Sequence, residues 1–209
     1  MRAEEDLSRG PSPIDWDHWS PDMRATLMFI REGNDVLLMQ KLRGIGAGKI
    51  NAPGGKIESG ETPLEGAIRE TEEELLVTTL KPRKMGELFF AMSDLPDIFV
   101  HVFMAESCTG EAGETEEAIP LWTKISQIPY DLMWEDDEHW LPRMLEGETF
   151  SGKFYFESER ICWMKNDWGA GYPLSLIHIS EPTRQEAMSY AVICLKKKRG
   201  GGGGGGGGG

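Results

Sequence analysis

One stretch of the chain can be placed in space almost without reference to the rest. Thr62 is a good N-cap, Pro63 suits the first helical position and Glu65 completes a Thr-x-x-Glu capping box, so a helix starts at Pro63. Leu64, Ala67, Ile68, Thr71 and Leu75 recur at helical spacing as one apolar stripe, which carries the helix to about Leu76. Glu70, Glu73 and Glu74 fall at i, i+3 and i+4, on a face away from that stripe. Carboxylates so placed repel one another, and a helix tolerates them either as a solvated acidic face or with a cation between them. Hard oxygen ligands of this kind suit Mg²⁺ or Mn²⁺. Gly66 lies on the same side and leaves room for a ligand, while Gly54 and Gly55 let the backbone turn tightly in front.

The flanking segments are strand-like. ATLMFI, the turn Glu32-Gly33-Asn34-Asp35 and DVLLMQKL read as a β-hairpin. MGELFFAM and DIFVHVFMAES follow the helix. In the second, Ile98, Val100, Val102 and Met104 lie on one side and Phe99, His101 and Phe103 on the other, so both faces are apolar and the strand is central. GEAGETEEA is a polar loop, PLWTKISQI a strand and turn, WEDDEHWLPRMLEGE a short helix opening with acids, and GKFYFESERICWM a final hairpin.

Residues 1–22 are rich in charge and proline and show no period, which predicts a flexible N-terminal extension whose Trp16 and Trp19 could fold back onto the domain. The domain proper is read as 23–173. Beyond Pro173 the composition changes abruptly. LSLIHISEPTR resembles a translated transposase adapter from a DNA sequencing library, and MSYAVICLKKK resembles the translated flow-cell adapter. Gln185 to Ala187 would fall in a barcode, and the glycines from Gly200 to Gly209 would be signal-free reads. The expectation is that 174–209 is adapter read-through rather than native protein; the alternative is a basic tail with a flexible glycine linker.

Net charge is -13 over 209 residues. The tail holds Arg184, Lys196, Lys197, Lys198 and Arg199 against only Glu181 and Glu186, so the domain itself is more acidic still. That balance argues against gripping a nucleic-acid polymer or an anionic membrane by bulk electrostatics, and any phosphate handled here calls for a metal. The acidic start and the lack of a long apolar run point to the cytosol. Cys108, Cys162 and Cys194 are isolated, with neither disulfide nor zinc spacing.

The helix and the loop before it share one long pattern: Gly55, five residues, Glu61, seven residues, Arg69 and Glu70, two residues, Glu73 and Glu74. This resembles the Nudix box, and the chain is identified as a member of that family. Thr71 stands where a larger aliphatic residue is usual, and Leu76 where glycine is usual. The resemblance implies an α/β/α sandwich with a mixed β-sheet and hydrolysis of a diphosphate linked to an organic group. It implies Mg²⁺, with Mn²⁺ as a substitute, held by Glu70, Glu73 and Glu74. Arg69 would orient a carboxylate, Glu61 would support the box, and Glu73 is the first choice of general base. Glu117 is an optional further ligand or base.

The likeness extends beyond the box. KLRGIGAGKINAPGGKIESGET, HVF, MWEDDEHWLPRML and GKFYF resemble the MutT-homologue branch of the family, which acts on oxidised purine nucleoside triphosphates. It implies a base pocket of Asn51, Asp136 and Asp137 with Trp134 as stacking wall, and Thr26, Lys41, Phe90, Trp140, Gly54 and Gly55 nearby. An Asn amide offers both donor and acceptor to a purine edge. Two adjacent carboxylates in a dry pocket do not both ionise cheaply, so one keeps a proton for a base oxygen. Helix capping by the two aspartates and core packing by Trp134 are the competing readings. Ile45, Pro53 and Ala118 replace bulkier residues of that branch, which implies a different pocket width. The expected activity is conversion of 8-oxo-dGTP to 8-oxo-dGMP and pyrophosphate by a monomeric cytoplasmic enzyme acting on a small-molecule nucleotide. Rival readings are a Nudix hydrolase of ordinary dNTPs, ADP-ribose or a dinucleoside polyphosphate, and a non-catalytic nucleotide-binding regulator.

Overall fold

The structure is a computed structural model of the chain, and it describes residues 7–8 and 10–169. Cys194 and the segment read as adapter lie outside the described residues. The described residues all belong to the unit Met1–Tyr172.

Strand β1 (Met23–Glu32) turns at Gly33, whose positive φ of 61° suits glycine, into β2 (Asp35–Lys41), and the two form the expected hairpin. After β3 (Ile50–Asn51), helix α1 runs over Pro63–Leu75 with its capping box in place. Then come β4 (Thr78–Leu80), β5 (Arg83–Met92), β6 (Ile98–Ala105), β7 (Ser107–Thr109), β8 (Ala118–Lys124), α2 (Asp137–Leu145), β9 (Phe150–Glu157) and β10 (Arg160–Trp168). The main sheet runs β10-β9-β5-β6-β1-β2-β3, with β8 on β2; β4 and β7 pair separately. The β1–β6 and β5–β9 pairs are parallel and the rest antiparallel, so the sheet is mixed. As its two apolar faces predict, β6 is central and buried along its whole length.

Alternation along the strands separates two cores. On one face α2 contributes Trp140, Leu141, Met144 and Leu145, which pack with Phe29, Val102 and Phe150. On the other, Ala67 and Leu75 of α1 meet Met28, Ile30, Leu37, Met39 and Phe103. A mixed sheet with a helix on each face is the expected α/β/α sandwich. Side chains buried to this degree each contribute about 1.5–3 kcal/mol, and α2 holds its place chiefly through Trp140, stacked at 5.1 Å on Phe150.

The described part of the N-terminal extension lies on the domain. Trp16 and Trp19 sit against Trp163 and Phe89 at centroid distances of 6.1 and 5.7 Å. Asp97 fastens the segment: its carbonyl accepts from the N–H groups of Asp22 and Met23, and its carboxylate accepts from Trp19 Nε1 at 2.6 Å. Among the described residues, no helix is long and apolar enough to cross a membrane.

Candidate active site

Arg69 organises the outer face of α1. Its Nε donates to Glu61 Oε1 at 2.6 Å and its Nη2 to Glu61 Oε2 and the Lys56 carbonyl, both at 3.1 Å. Nη1 lies between Glu70 Oε1 at 2.8 Å and Glu73 Oε2 at 3.0 Å. The Arg69 bonds hold the Glu61 carboxyl below its ordinary range, and Glu61 in turn keeps the guanidinium charged. Glu61, expected to support the box, holds Arg69 through both carboxylate oxygens. Gly66 has a different use from the one expected: a Cβ there would stand 3.2 Å from Glu61 Oε2, so its lack of a side chain makes room for Glu61 rather than for a ligand.

Glu74 departs from the sequence reading. It is expected with Glu70 and Glu73 on a face away from the apolar stripe, yet it is buried with 1% exposure, while Glu73 stands 61% exposed in its side chain. The cause is the loop before the helix. Gly54 approaches β1 so closely that a Cβ would lie 2.0 Å from the Thr26 carbonyl, and Gly54 N donates to Glu74 Oε2 at 2.8 Å. Lys41 Nζ donates to the other oxygen at 2.9 Å. Desolvation raises the Glu74 carboxyl, and the Lys41 charge and the Gly54 bond oppose that rise. Gly55 serves Glu70 in the same way, because a Cβ there would meet its carboxylate at 2.6 Å.

The mutual repulsion of the three glutamates is therefore relieved by internal cations, Arg69 for two of them and Lys41 for the third. Among the described residues, no three acidic, histidine or cysteine side chains converge as a ready metal site. The donor chemistry still fits a divalent cation. Glu70 and Glu73 already share one positive nitrogen, and Glu74 follows directly in the same helical turn.

A cavity of about 370 Å³ opens beside this face. Its lining includes Glu70, Glu74 and Lys41 and extends to Asn51, Trp134, Asp136 and Asp137. Thr26, Phe90, Trp140, Gly54 and Gly55 line it as well, so every residue expected near the substrate faces one space. Glu61, Arg69 and Glu73 lie outside the lining.

The two aspartates do not cap α2 in the ordinary way. Asp136 is the N-cap residue, but its side chain makes no capping bond and accepts instead from Trp140 Nε1 at 2.8 Å. Asp137 Oδ2 accepts from the Trp134 N–H at 3.1 Å. Both are 3% exposed. Burial pushes the Asp136 carboxyl up to about 6, against the Trp140 bond. Asp137 rises well above the carboxylate range, through burial first and then its neighbour Asp136. Both shifts favour a proton on the pair, and a protonated carboxyl can donate to a carbonyl-like base oxygen. Asn51 Oδ1 accepts from Ala52 N at 2.8 Å, and among the described residues its amide NH₂ has no partner. Thr26 Oγ1 is also buried without one.

Glu117 lines the cavity and is 55% exposed, beside Arg43, which is chiefly bonded to Glu116. Sequence reasoning missed the apolar floor made by Leu88, Ile98 and Val100. Its signal was present in the alternation of β6, but nothing local says which of the two faces carries the cavity.

The family model for the NUDIX domain matches residues 21–144. The chain is 40% identical over 137 residues to the oxidized purine nucleoside triphosphate hydrolase of Mus musculus, covering 64% of this chain and 86% of that protein. It is 40% identical over 139 residues to the protein of the same name from Danio rerio, covering 65% and 88%. A crystal structure of a MutT protein from Bacillus halodurans superposes with a TM-score of 0.61 at 25% identity, over 69% of this chain and 97% of that one.

Proposed function

The chain belongs to the Nudix family of hydrolases, and from that premise we propose that it is a divalent-metal-dependent pyrophosphohydrolase of oxidised purine nucleoside triphosphates, converting 8-oxo-dGTP to 8-oxo-dGMP and pyrophosphate. The observation that carries the reading is the continuous cavity: a flat indole wall and hydrogen-bonding groups at one end, and the Glu70–Glu74 helix face at the other. Relatives that share 40% identity and bear the oxidised-purine name support the same substrate class.

In this reading the base stacks on Trp134, Asn51 offers its amide, and the Asp136–Asp137 pair contributes one donor and one acceptor to the edge that oxidation changes. Lys41 lies where the triphosphate would pass and attracts it by charge. Glu70, Glu73 and Glu74 would hold Mg²⁺, or Mn²⁺ in its place, which supplies neutralisation of the phosphate oxygens and a Lewis acid for the attacking water. Arg69, pinned by Glu61, keeps Glu70 and Glu73 at the site rather than dispersed in solvent. Glu73, the most exposed of the three, takes the water proton as general base. The enzyme works in the cytosol as a monomer on a free nucleotide, with 23–173 as its catalytic domain.

The test is kcat/KM for 8-oxo-dGTP and dGTP with Mg²⁺, beside Glu73→Gln. A strong preference for the oxidised base is expected, with kcat lowered roughly 10²- to 10⁴-fold in the variant while the product still binds. Equal rates on both nucleotides would remove the base assignment and leave the hydrolase.

A further inference from the structure

Trp134 is the flat wall of the cavity, and a cation stands behind it. Lys49 does not line the cavity, yet its ammonium lies 4.8 Å from the Trp134 ring centroid. The same ammonium is 3.2 Å from Glu159 Oε2, in the turn between β9 and β10. The residue's backbone is fixed at both ends: its N–H donates to the Gly46 carbonyl at 3.0 Å, and its carbonyl accepts from Lys41 N at 2.9 Å. Gly46 closes against the same indole, for a Cβ there would be 3.0 Å from Trp134 Nε1.

The β9–β10 turn is bound to Trp134's own segment as well. Glu135 accepts from Ile161 N at 2.7 Å and pairs with Arg160 at 3.4 Å. Trp134 therefore sits in a clamp in which the Lys49–Glu159 pair is the charged arm that touches the indole itself. That arm is also felt at the base-reading acids, where the Lys49 charge favours ionised Asp137. The other groups acting on the pair are Glu135, which disfavours ionised Asp136, and Tyr130, whose hydroxyl is pushed up to about 12 by burial and by the charges of Asp137 and Glu138. Lys49 is the cation that reaches Asp137 from outside the pair's own segment.

We propose that Lys49, tempered by Glu159, is a specificity-determining positioning residue: from behind Trp134 it fixes the stacking wall and sets the charge state of the acid pair that reads the base edge. The inference rests on the base site proposed above. A cation on one face of the indole holds the ring in place and leaves the other face for the base. Its charge decides how far into the alkaline range the pair keeps its proton.

The two partners make opposite predictions, which separates electrostatics from simple loss of structure. Lys49→Met removes the positive charge, so the pair holds its proton to higher pH. Glu159→Gln leaves Lys49 uncompensated, so the proton leaves at lower pH. The experiment is the calorimetric Kd of the full chain for 8-oxo-dGMP without metal, from pH 5.5 to 9, for the wild type, Lys49→Met, Lys49→Arg and Glu159→Gln. The ligand's own titrations are common to all four proteins and cancel in the comparison.

The expected result is an alkaline loss of affinity that moves up by roughly half a pH unit in Lys49→Met and down by a similar amount in Glu159→Gln. Lys49→Arg should keep the wild-type midpoint, and Lys49→Met should also bind severalfold more weakly on the plateau. Unmoved midpoints, or midpoints that move the same way in both charge variants, would overturn the inference while the base site stands. Wild-type protein that binds 8-oxo-dGMP no better than dGMP would overturn both. Should Lys49→Met fail to fold, the downward shift in Glu159→Gln alone decides.

Discussion

Burial of an ionisable side chain ties local chemistry to the pH range in which this protein is stable, and two residues here pull in opposite directions. Asp136 titrates near 6 in the fold against an ordinary 3.8, so the native state binds the extra proton. Its contribution is present below pH 4 and is lost as the pH rises towards 6. His101 is buried on β6 with neither ring nitrogen hydrogen-bonded, and burial lowers it to about 4 from 6.5 although Glu87 Oε1 lies 3.6 Å from Nδ1. The unfolded chain binds that proton more readily, so the His101 contribution grows between pH 4 and 6.5. The two slopes oppose one another between pH 4 and 6, and Asp137, raised by the same burial, acts in the sense of Asp136. Asp136→Asn keeps an oxygen to accept from Trp140 Nε1 but removes one of the opposing slopes. Its stability by urea denaturation, relative to the wild type at the same pH, should therefore rise from pH 4 to 6.5. Profiles that run parallel in the variant and the wild type would mean that Asp136 is ionised in the fold throughout. The sequence makes this pair visible as adjacent acids beside two tryptophans. It does not reveal that Asp136 serves the Trp140 indole and Asp137 the Trp134 backbone N–H, because Trp140 reaches Asp136 by the helical i, i+4 relation only once α2 is wound.

Elements whose signals are local were legible, and those that depend on a distant partner were not. The start of α1 follows from Thr62, Pro63 and Glu65, and the hairpin and β6 follow from turn chemistry and alternation. Strands β4 and β7, three residues each, exist only because they pair with one another across the fold, so neither carries a pattern. The burial of Glu74 is not legible for a similar reason: helical geometry places it beside Glu70 and Glu73, while the loop that covers it is fixed by contacts with β1. The end of α1 was readable and is strained. Leu76 occupies the left-handed region at φ 62°, at the position after the helix where glycine is favoured, and its side chain is 57% exposed. Thus it carries the backbone strain with little burial in return. Leu76→Gly should stabilise the protein by about 1 kcal/mol, seen as a raised denaturation midpoint with an unchanged m-value. A lowered midpoint would show that contact of Leu76 with the backbone around Gly113, where a Cβ would meet it at 3.0 Å, outweighs the strain.

At the scale of the molecule, the sheet needs both faces covered along its whole width, and two helices do not suffice. Helix α2 covers one face and α1 the β1–β2 side of the other, which leaves Phe89, Phe99 and Trp163 on β5, β6 and β10. The N-terminal segment supplies what is missing: Trp16 and Trp19 pack at 5.5 Å from one another, and Lys153 lies 5.5 Å from the Trp16 ring. An acidic chain with such an aromatic face bare would invite association, since charge repulsion weakens beyond about 10 Å in physiological salt while apolar contact does not. The sequence showed the two tryptophans but not their place, because nothing in their spacing names a partner some seventy to one hundred and fifty residues away. Trp16→Ala with Trp19→Ala should lower stability by about 2–4 kcal/mol and increase self-association at high concentration. The cavity lies on the opposite face of the sheet, so kcat/KM per folded molecule should stay within about twofold of wild type. Denaturation and light scattering read the first effects and initial rates the last. A large fall in kcat/KM with stability unchanged would mean that this segment acts on the cavity and not on the exposed face.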